Sequence, residues 1–373
     1  MVKICQITSA HPAADIRIWH KECKSILSLG YKVTLIAQHP LDESKEGIQI
    51  KALPRAHNRF TRMTRIVWRA YWLAIKENAD IYHFHDPELI TAGILLKLHG
   101  KKVIYDAHED YYNSLLSFDR EWIQPSLHCI VALAVLLVEK IGIIFFDAII
   151  AATPGVAKRF PLSKTTVISN FPIINELAVK NPTAYCNRQS IITYIGGISE
   201  RRGIKEMVEA IELLPKNPTT YLEIAGIFSS PELEEIIKKM PGFKKTRFLG
   251  WQSRQGIANI LGRARIGLVI LHPTKSYIDS YPTKLFEYMA VGLPVIVSDF
   301  PLWSQIVGKS QCGVCVDPLN PRDIAEKIKY LIDNPDVAQK MGENGMKAIR
   351  EEYNWDKESE KLLKIYGELC KRQ

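Results

Sequence analysis

The sequence contains no uninterrupted run of about 18 apolar residues, the length a membrane-spanning helix needs. The nearest approach is residues 129–138, which Glu139 and Lys140 interrupt before residues 141–146 resume. A spanning helix is therefore not expected, and a buried core helix is the expectation there. The N-terminal Met-Val-Lys-Ile-Cys-Gln-Ile-Thr lacks the long apolar core of a secretory signal and reads as a short strand. Cysteine is sparse: seven residues, an odd number, scattered from Cys5 to Cys370. That excludes a regular disulfide framework and favours a reducing, cytoplasmic compartment. Cys312 and Cys315 have redox spacing but fall inside a strand-like run, so core cysteines are expected. Repeats and low-complexity tracts are lacking too, as is a G-x-G-x-x-G with an acid at the distance a dinucleotide site requires.

What is present is ordinary for a soluble globular protein: 47% hydrophobic and 24% charged residues over 373 positions, enough for two or three domains. The net charge of +9 favours a phosphate-bearing partner, whether nucleotide, nucleic acid or anionic membrane. No nucleic-acid recognition module accompanies that charge, so a nucleic-acid partner is not expected.

Short apolar, β-branched runs alternate with amphipathic stretches along the chain. Strands are expected at 2–7, 32–37, 80–84, 102–105, 147–151 and 166–169, then at 191–195, 220–225, 247–249, 267–271, 295–297 and 313–316. Helical stretches fall between them, including a long apolar one at 122–144, and after Asp317 the chain turns wholly helical. This rhythm predicts an α/β protein with two parallel, doubly wound, Rossmann-like sheets facing a cleft. The domain boundaries expected are 1–170, a linker at 171–188, 189–352, and a terminal helix at 353–373 that could cross back to the first domain. Ligands of such sheets sit at the carboxyl ends of the strands.

The chemistry concentrates after those strands. Asp279 and Glu287 lie eight residues apart in Asp-Ser-Tyr-Pro-Thr-Lys-Leu-Phe-Glu, where a turn passes into a helix at Pro282 and Thr283. A helix start offers free N–H groups and a positive dipole end, with Lys284 as an added cation, and suits a diphosphate. Flanking carboxylates can accept hydrogen bonds from sugar hydroxyls. Gly196-Gly197 permits close backbone approach, and Arg201-Arg202 follows with a fork-shaped donor. His108, after the strand at 102–105 and beside Asp106, Glu109 and Asp110, can bond a sugar hydroxyl or handle a proton. His83 and His85 share one strand face, but no third ligand is spaced to complete a metal site, so none is expected.

Across essentially the whole chain these motifs resemble retaining GT-B-fold glycosyltransferases of family 4, in particular bacterial surface-polysaccharide and O-antigen members. The resemblance rests on Ala10-His-Pro with Asp15-Ile-Arg-Ile and the following Lys21-Glu22, His85-Asp-Pro-Glu-Leu, Tyr105-Asp-Ala-His-Glu-Asp, Tyr194-Ile-Gly-Gly with Arg202-Gly, Phe248-Leu-Gly-Trp, and Pro282-Thr-Lys-Leu-Phe-Glu-Tyr-Met-Ala. It implies that Glu287 holds the nucleotide ribose and Asp279 the donor sugar. Arg202 and Lys284 would neutralise the diphosphate leaving group, and His108 would contact the donor sugar near the reacting carbon. It further implies a nucleotide-sugar donor, no metal or other cofactor, and a saccharide or polyprenyl-diphosphate-linked acceptor met by the first domain. Three positions depart from the pattern: Asp279 replaces the usual Glu, Gly197 stands where many members carry an arginine, and the loop after the first strand lacks a Gly pair. Two other functions fit the same motifs, a non-hydrolysing nucleotide-sugar epimerase and a catalytically silent assembly subunit.

Arg55, Arg59, Arg62, Arg65 and Arg69 recur at spacings of four, three, three and four, near Phe60, Trp68, Tyr71 and Trp72. A basic helical face with interfacial aromatics predicts peripheral contact with an anionic membrane, on the inner face of the plasma membrane.

Overall fold

The computed structural model describes residues 1–108, 111, 115, 128–178, 183–215 and 220–371. Glu109, Asp110 and the start of the expected helix at 122–144 lie outside them. The chain forms two units, Met1–Asn170 together with Trp355–Gln373, and Phe171–Asn354.

The first unit is built on eight strands: β1 (Lys3–Pro12), β2 (Lys32–Gln38), β3 (Glu43–Lys45), β4 (Ile48–Leu53), β5 (Ile81–Phe84), β6 (Lys102–Ala107), β7 (Ala148–Ala151) and β8 (Thr165–Val167). Their order is β3-β4-β2-β1-β5-β6-β7-β8, and every pairing but β3 with β4 is parallel. Central strands read as unbroken apolar runs because helices cover both faces. All four residues of β5 and of β7 are buried. The β3–β4 hairpin escapes the sequence pattern. Its turn, Glu46-Gly47, has both residues at positive φ (50° and 82°), the geometry of a two-residue hairpin turn. Glu at the first position disguises it.

The second unit carries β9 (Ile191–Ile195), β10 (Tyr221–Ala225), β11 (Thr246–Gly250), β12 (Ile266–Val269), β13 (Val295–Ser298) and β14 (Gly313–Val316). The sheet is wholly parallel, in the order β11-β10-β9-β12-β13-β14. Both sheets are thus of the doubly wound kind expected. Each reverses its strand order beside its first strand, between β1 and β5 and between β9 and β12, the place where sheets of this kind form a crevice at the carboxyl edge.

The stretch expected as a linker is partly core. Phe171 and Leu177 are buried within the second unit's apolar cluster. The last helix, Trp355–Lys371, packs on the first unit: Trp355 Nε1 donates to Ser25 Oγ (2.9 Å), and Glu358 Oε2 accepts from the Ser169 amide (2.8 Å).

One contact fixes the helix Thr283–Ala290 against β9. The Tyr288 hydroxyl accepts from the Ile195 amide at 2.8 Å. The ring lies so close to β12 that a Cβ on Gly267 would come within 2.3 Å of it. Tyr288→Phe leaves that buried N–H without its partner, an expected loss of about 1–3 kcal/mol. The second unit's melting temperature should fall by roughly 2–10 °C; an unchanged melt would remove the contact from the fold's supports.

Candidate functional site

In the second unit, β9 ends in Gly196 and Gly197 at the crevice. Gly196 has φ 127°, a region that favours glycine, and a Cβ there would stand 3.2 Å from Lys284 Nζ. A Cβ on Gly197 would meet Arg202 Nη1 at 2.7 Å. Arg202 donates to the Gly197 carbonyl (3.2 Å), which also accepts from the Tyr194 hydroxyl (2.7 Å). A side chain at position 197 would displace the guanidinium that occupies its place.

Lys284 enters from the first turn of the helix Thr283–Ala290. The residue as a whole is half-buried, yet its amine is out of solvent and has no hydrogen-bond partner among the described residues. It lies 3.8 Å above the Tyr194 ring. Burial, and then the neighbouring Arg202 charge, hold its pKa well below the usual lysine range, with Glu287 opposing. A buried, unpaired amine beside a guanidinium, free N–H groups at a helix start and two glycines makes a socket for an anion. Pro282 caps that helix and Thr283 is exposed at its first position.

Glu287, one turn on, is largely buried, and its Oε1 accepts from Arg254 Nη1 at 2.7 Å. Arg254 is shared with Glu176 at 2.9 Å. Asp279 is exposed, but its neighbours are pinned: Tyr277 hydrogen-bonds Arg202, the Ser280 carbonyl accepts from Trp303 Nε1 (2.8 Å), and the Tyr281 ring meets Phe171 at a tilt and Phe286 edge-on. Arg201 is exposed beside the crevice, its carbonyl accepting from the His272 amide at 2.8 Å. The structure therefore joins Gly196, Gly197, Arg202, Lys284 and Glu287 through direct neighbours, with Asp279 on a turn anchored to the same arginine.

His108 belongs to the first unit, where β6 ends. Beneath it lies a buried polar network. Arg17 donates from Nε and Nη2 to both oxygens of Asp106 (2.8–3.1 Å) and pairs through Nε with Glu22 (2.9 Å). Burial opposes the charge on Asp106, but Arg17 and then His108 outweigh it and hold the carboxyl well below its ordinary value. Burial and the Asp106 charge push Glu22 well above. Burial lowers His85 to about 4 and holds His83 well below normal, so both rings are neutral near pH 7. The expectation that no further ligand accompanies His83 and His85 fails in space. Glu22 and Asp106, distant in sequence, bring ligand atoms to within 4.8 Å of theirs. The Arg17 guanidinium, however, already engages both carboxylates and supplies the counter-charge.

Sequence reasoning overlooked Arg254, Tyr194, Gln6 and Glu22 as site members. Gln6 carried a signal as a polar residue in the middle of an apolar strand, and Tyr194 and Glu22 lie within the motifs that carry the resemblance.

Comparison with known proteins agrees with this geometry. Residues 17–171 match the model described as Glycosyltransferase Family 4, and residues 180–348 that described as Glycosyl transferases group 1. The chain is 22% identical over 181 residues to alpha-D-kanosaminyltransferase of Streptomyces kanamyceticus, 48% of this chain and 46% of that protein. It thus spans about half the length of the curated relatives it matches. Among solved structures, sucrose-phosphate synthase from Thermosynechococcus elongatus superposes with a TM-score of 0.77 at 18% identity, covering 100% of both chains. HepE of Anabaena, in complex with UDP-glucose, does so at 0.73 and 12%, covering 99% of this chain and 100% of that one. At these identities the structural likeness shows the shared fold.

The Lys284 amine yields a proton-linkage prediction. In the unfolded chain it titrates near the ordinary lysine pKa, and in the folded protein well below it. Between those values the unfolded state binds more protons, so stability rises with pH. A diphosphate seated on the amine restores the charge, and binding in that window takes up a proton. Calorimetry with UDP and with GDP as probes, in two buffers of different ionisation enthalpy, should show the uptake for whichever binds, and Lys284→Met should abolish it. Buffer-independent heats would place the anion elsewhere.

Proposed function

The chain belongs to the GT-B glycosyltransferases, its first half of family 4 and its second of group 1, and on that premise we propose what it transfers and how. It moves a sugar from a nucleoside-diphosphate donor to a saccharide acceptor, with retention of configuration and without a metal ion. The observation that carries this reading is the unpartnered, desolvated amine of Lys284 beside Arg202 at a helix start. Such an arrangement is worth most when negative charge arrives, as it does on the departing diphosphate.

The roles follow from position. Lys284, Arg202, Gly196 and Gly197 receive the diphosphate, with the free N–H groups of Thr283 and Lys284 at the helix start that Pro282 caps. Glu287, held by Arg254, leaves one carboxylate oxygen for the ribose hydroxyls. Asp279 reaches the donor sugar from its anchored turn, one methylene shorter than the glutamate of most relatives. Arg201 flanks the phosphates, and His108 contacts the sugar near the reacting carbon. Glu287→Ala should weaken nucleotide binding and turnover together, because a ribose contact is made in ground and transition states alike. Unchanged donor affinity would sink the assignment.

The acceptor we propose is lipid-linked, in surface-polysaccharide synthesis, with the first unit resting on the cytoplasmic leaflet. Support comes from exposed apolar surface. Phe60, Trp68 and Trp72 are 77%, 55% and 57% exposed. The helix His128–Phe145, expected as core, instead exposes Ile130, Leu133, Leu137, Ile141 and Ile144 among the described residues, and is long and apolar enough to cross a membrane by length and composition. The arginine stripe needs one correction. Arg62 turns inward to Glu88 (2.7 Å), because the helix widens over Arg62–Ile66, while Arg65 and Arg69 stay exposed. Clustered cations near an anionic leaflet contribute about 1 kcal/mol each. Co-sedimentation with anionic vesicles should be strong, should fall with salt, and should drop when Arg65 and Arg69 become serine and Trp68 and Trp72 alanine. Equal, weak binding to neutral and anionic vesicles would leave a soluble acceptor.

A further inference from the structure

His108 is held from behind by residues that the proposed mechanism does not use. Its Nε2 lies 3.1 Å from His85 Nδ1 and 3.2 Å from Asp106 Oδ2. On the opposite side of the His85 ring, Nε2 lies 2.6 Å from Gln6 Oε1. The amide nitrogen of Gln6 in turn faces the Tyr366 hydroxyl (3.1 Å), His83 Nδ1 (3.0 Å) and, more distantly, Glu22 Oε2 (3.5 Å). Gln6, His83, His85 and Tyr366 are buried, and Tyr366 comes from the terminal helix Trp355–Lys371.

The proton positions follow from the sense in which the Gln6 amide sits, its oxygen on His85 and its nitrogen on Tyr366. In the observed sense each atom has a complement: the nitrogen donates to Tyr366, whose hydroxyl donates to His83 Nδ1 (2.7 Å). The amide oxygen can only accept, so His85 carries its proton on Nε2. Burial keeps that ring neutral, which leaves Nδ1 as a lone pair facing His108. His108 must then donate from Nε2, to His85 and to ionised Asp106 together. Its Nδ1 takes no part in these bonds.

We propose that Gln6 and His85 are positioning residues that fix the tautomer of His108, with its proton on Nε2, so that Nδ1 is presented as a hydrogen-bond acceptor to a hydroxyl of the bound donor sugar. The relay runs from Tyr366 through Gln6 and His85, and it rests on the reading of His108 as a donor-sugar contact. A histidine held this way selects a sugar bearing a hydroxyl at that point, and a deoxy analogue there leaves the nitrogen unmatched.

Two variants of His85 separate the relay from simple packing. Asn places a side-chain oxygen where Nδ1 was and keeps an acceptor for His108. Gln reaches toward Gln6 and removes it. His85→Gln should lower kcat roughly tenfold with the donor KM little changed, while His85→Asn should stay within about threefold of the parent. The imidazole nitrogen-15 shifts of His108, assigned with His108→Asn, should report the Nε2–H form in the intact protein. A proton on Nδ1 overturns the proposal, as do equal kcat values for the parent and both variants, or equal losses in both. His108→Ala tests the underlying reading separately: normal turnover there removes the sugar contact, while the nitrogen shifts still decide the relay.

Discussion

Strand order is the constraint on which the rest of this protein depends. In each unit the first strand has its successor on one side and a strand from the second half of the sheet on the other, so the connections leave to opposite faces. Nothing crosses the carboxyl edge at that point, and loops gather there. In the first unit Asp86, at the end of β5, ties the β1 loop down: its Oδ2 accepts from the Ser9 amide (2.6 Å), the Thr8 hydroxyl (2.8 Å) and the Ala10 amide (3.2 Å). In the second, Gly196 and Gly197 leave β9 at the same place, and Gly226 after β10 approaches so closely that a Cβ would fall 1.9 Å from the Gly196 carbonyl oxygen. Both groups of candidate residues are therefore consequences of winding.

The two units treat buried charge in opposite ways. Arg17 is buried with its partners in place: bidentate on Asp106, paired with Glu22, and bonded to the Ile168 carbonyl at 3.1 Å. Removing one member would strand the others, which is how a buried ion pair acts as a rigid frame. Lys284 is buried without any such partner, its amine left to the face of Tyr194 and the repulsion of Arg202. A fold tolerates that arrangement at a cost in stability, and an anionic ligand removes the cost. The first arrangement holds geometry and the second stores affinity.

Much of this was legible in the sequence because parallel strands buried on both faces are short apolar runs, and those at 191–195 and 313–316 coincide with β9 and β14. The motif around Asp279 and Glu287 was legible for a different reason: a turn, a helix start and a strand follow one another within a short span, so local order reports local geometry. What escaped depends on long-range contact or on partial exposure. Arg254 meets Glu287 across 33 positions, and Glu22 meets Asp106 across 84. The apolar stretch at 129–138 looked like core because composition carries no record of what covers a helix, and among the described residues much of it faces outward. Arg62 fitted an even stripe only while the helix was taken as regular; a wide turn rotates it onto Glu88.

The same limit explains what could be read about His108. Its neighbours Asp106 and Glu109 marked it as a histidine with a charge to answer, but the choice of nitrogen is made by Gln6 and Tyr366, 360 residues apart. A glutamine in the middle of a buried strand is unfavourable unless its amide oxygen and nitrogen are both matched. Here the oxygen is matched by one histidine, and the nitrogen by a hydroxyl that arrives only when the last helix docks. That docking orders the amide, the amide orders His85, and His85 with Asp106 orders the ring above. The terminal helix thus lies at the start of a line of hydrogen bonds that ends at the candidate site.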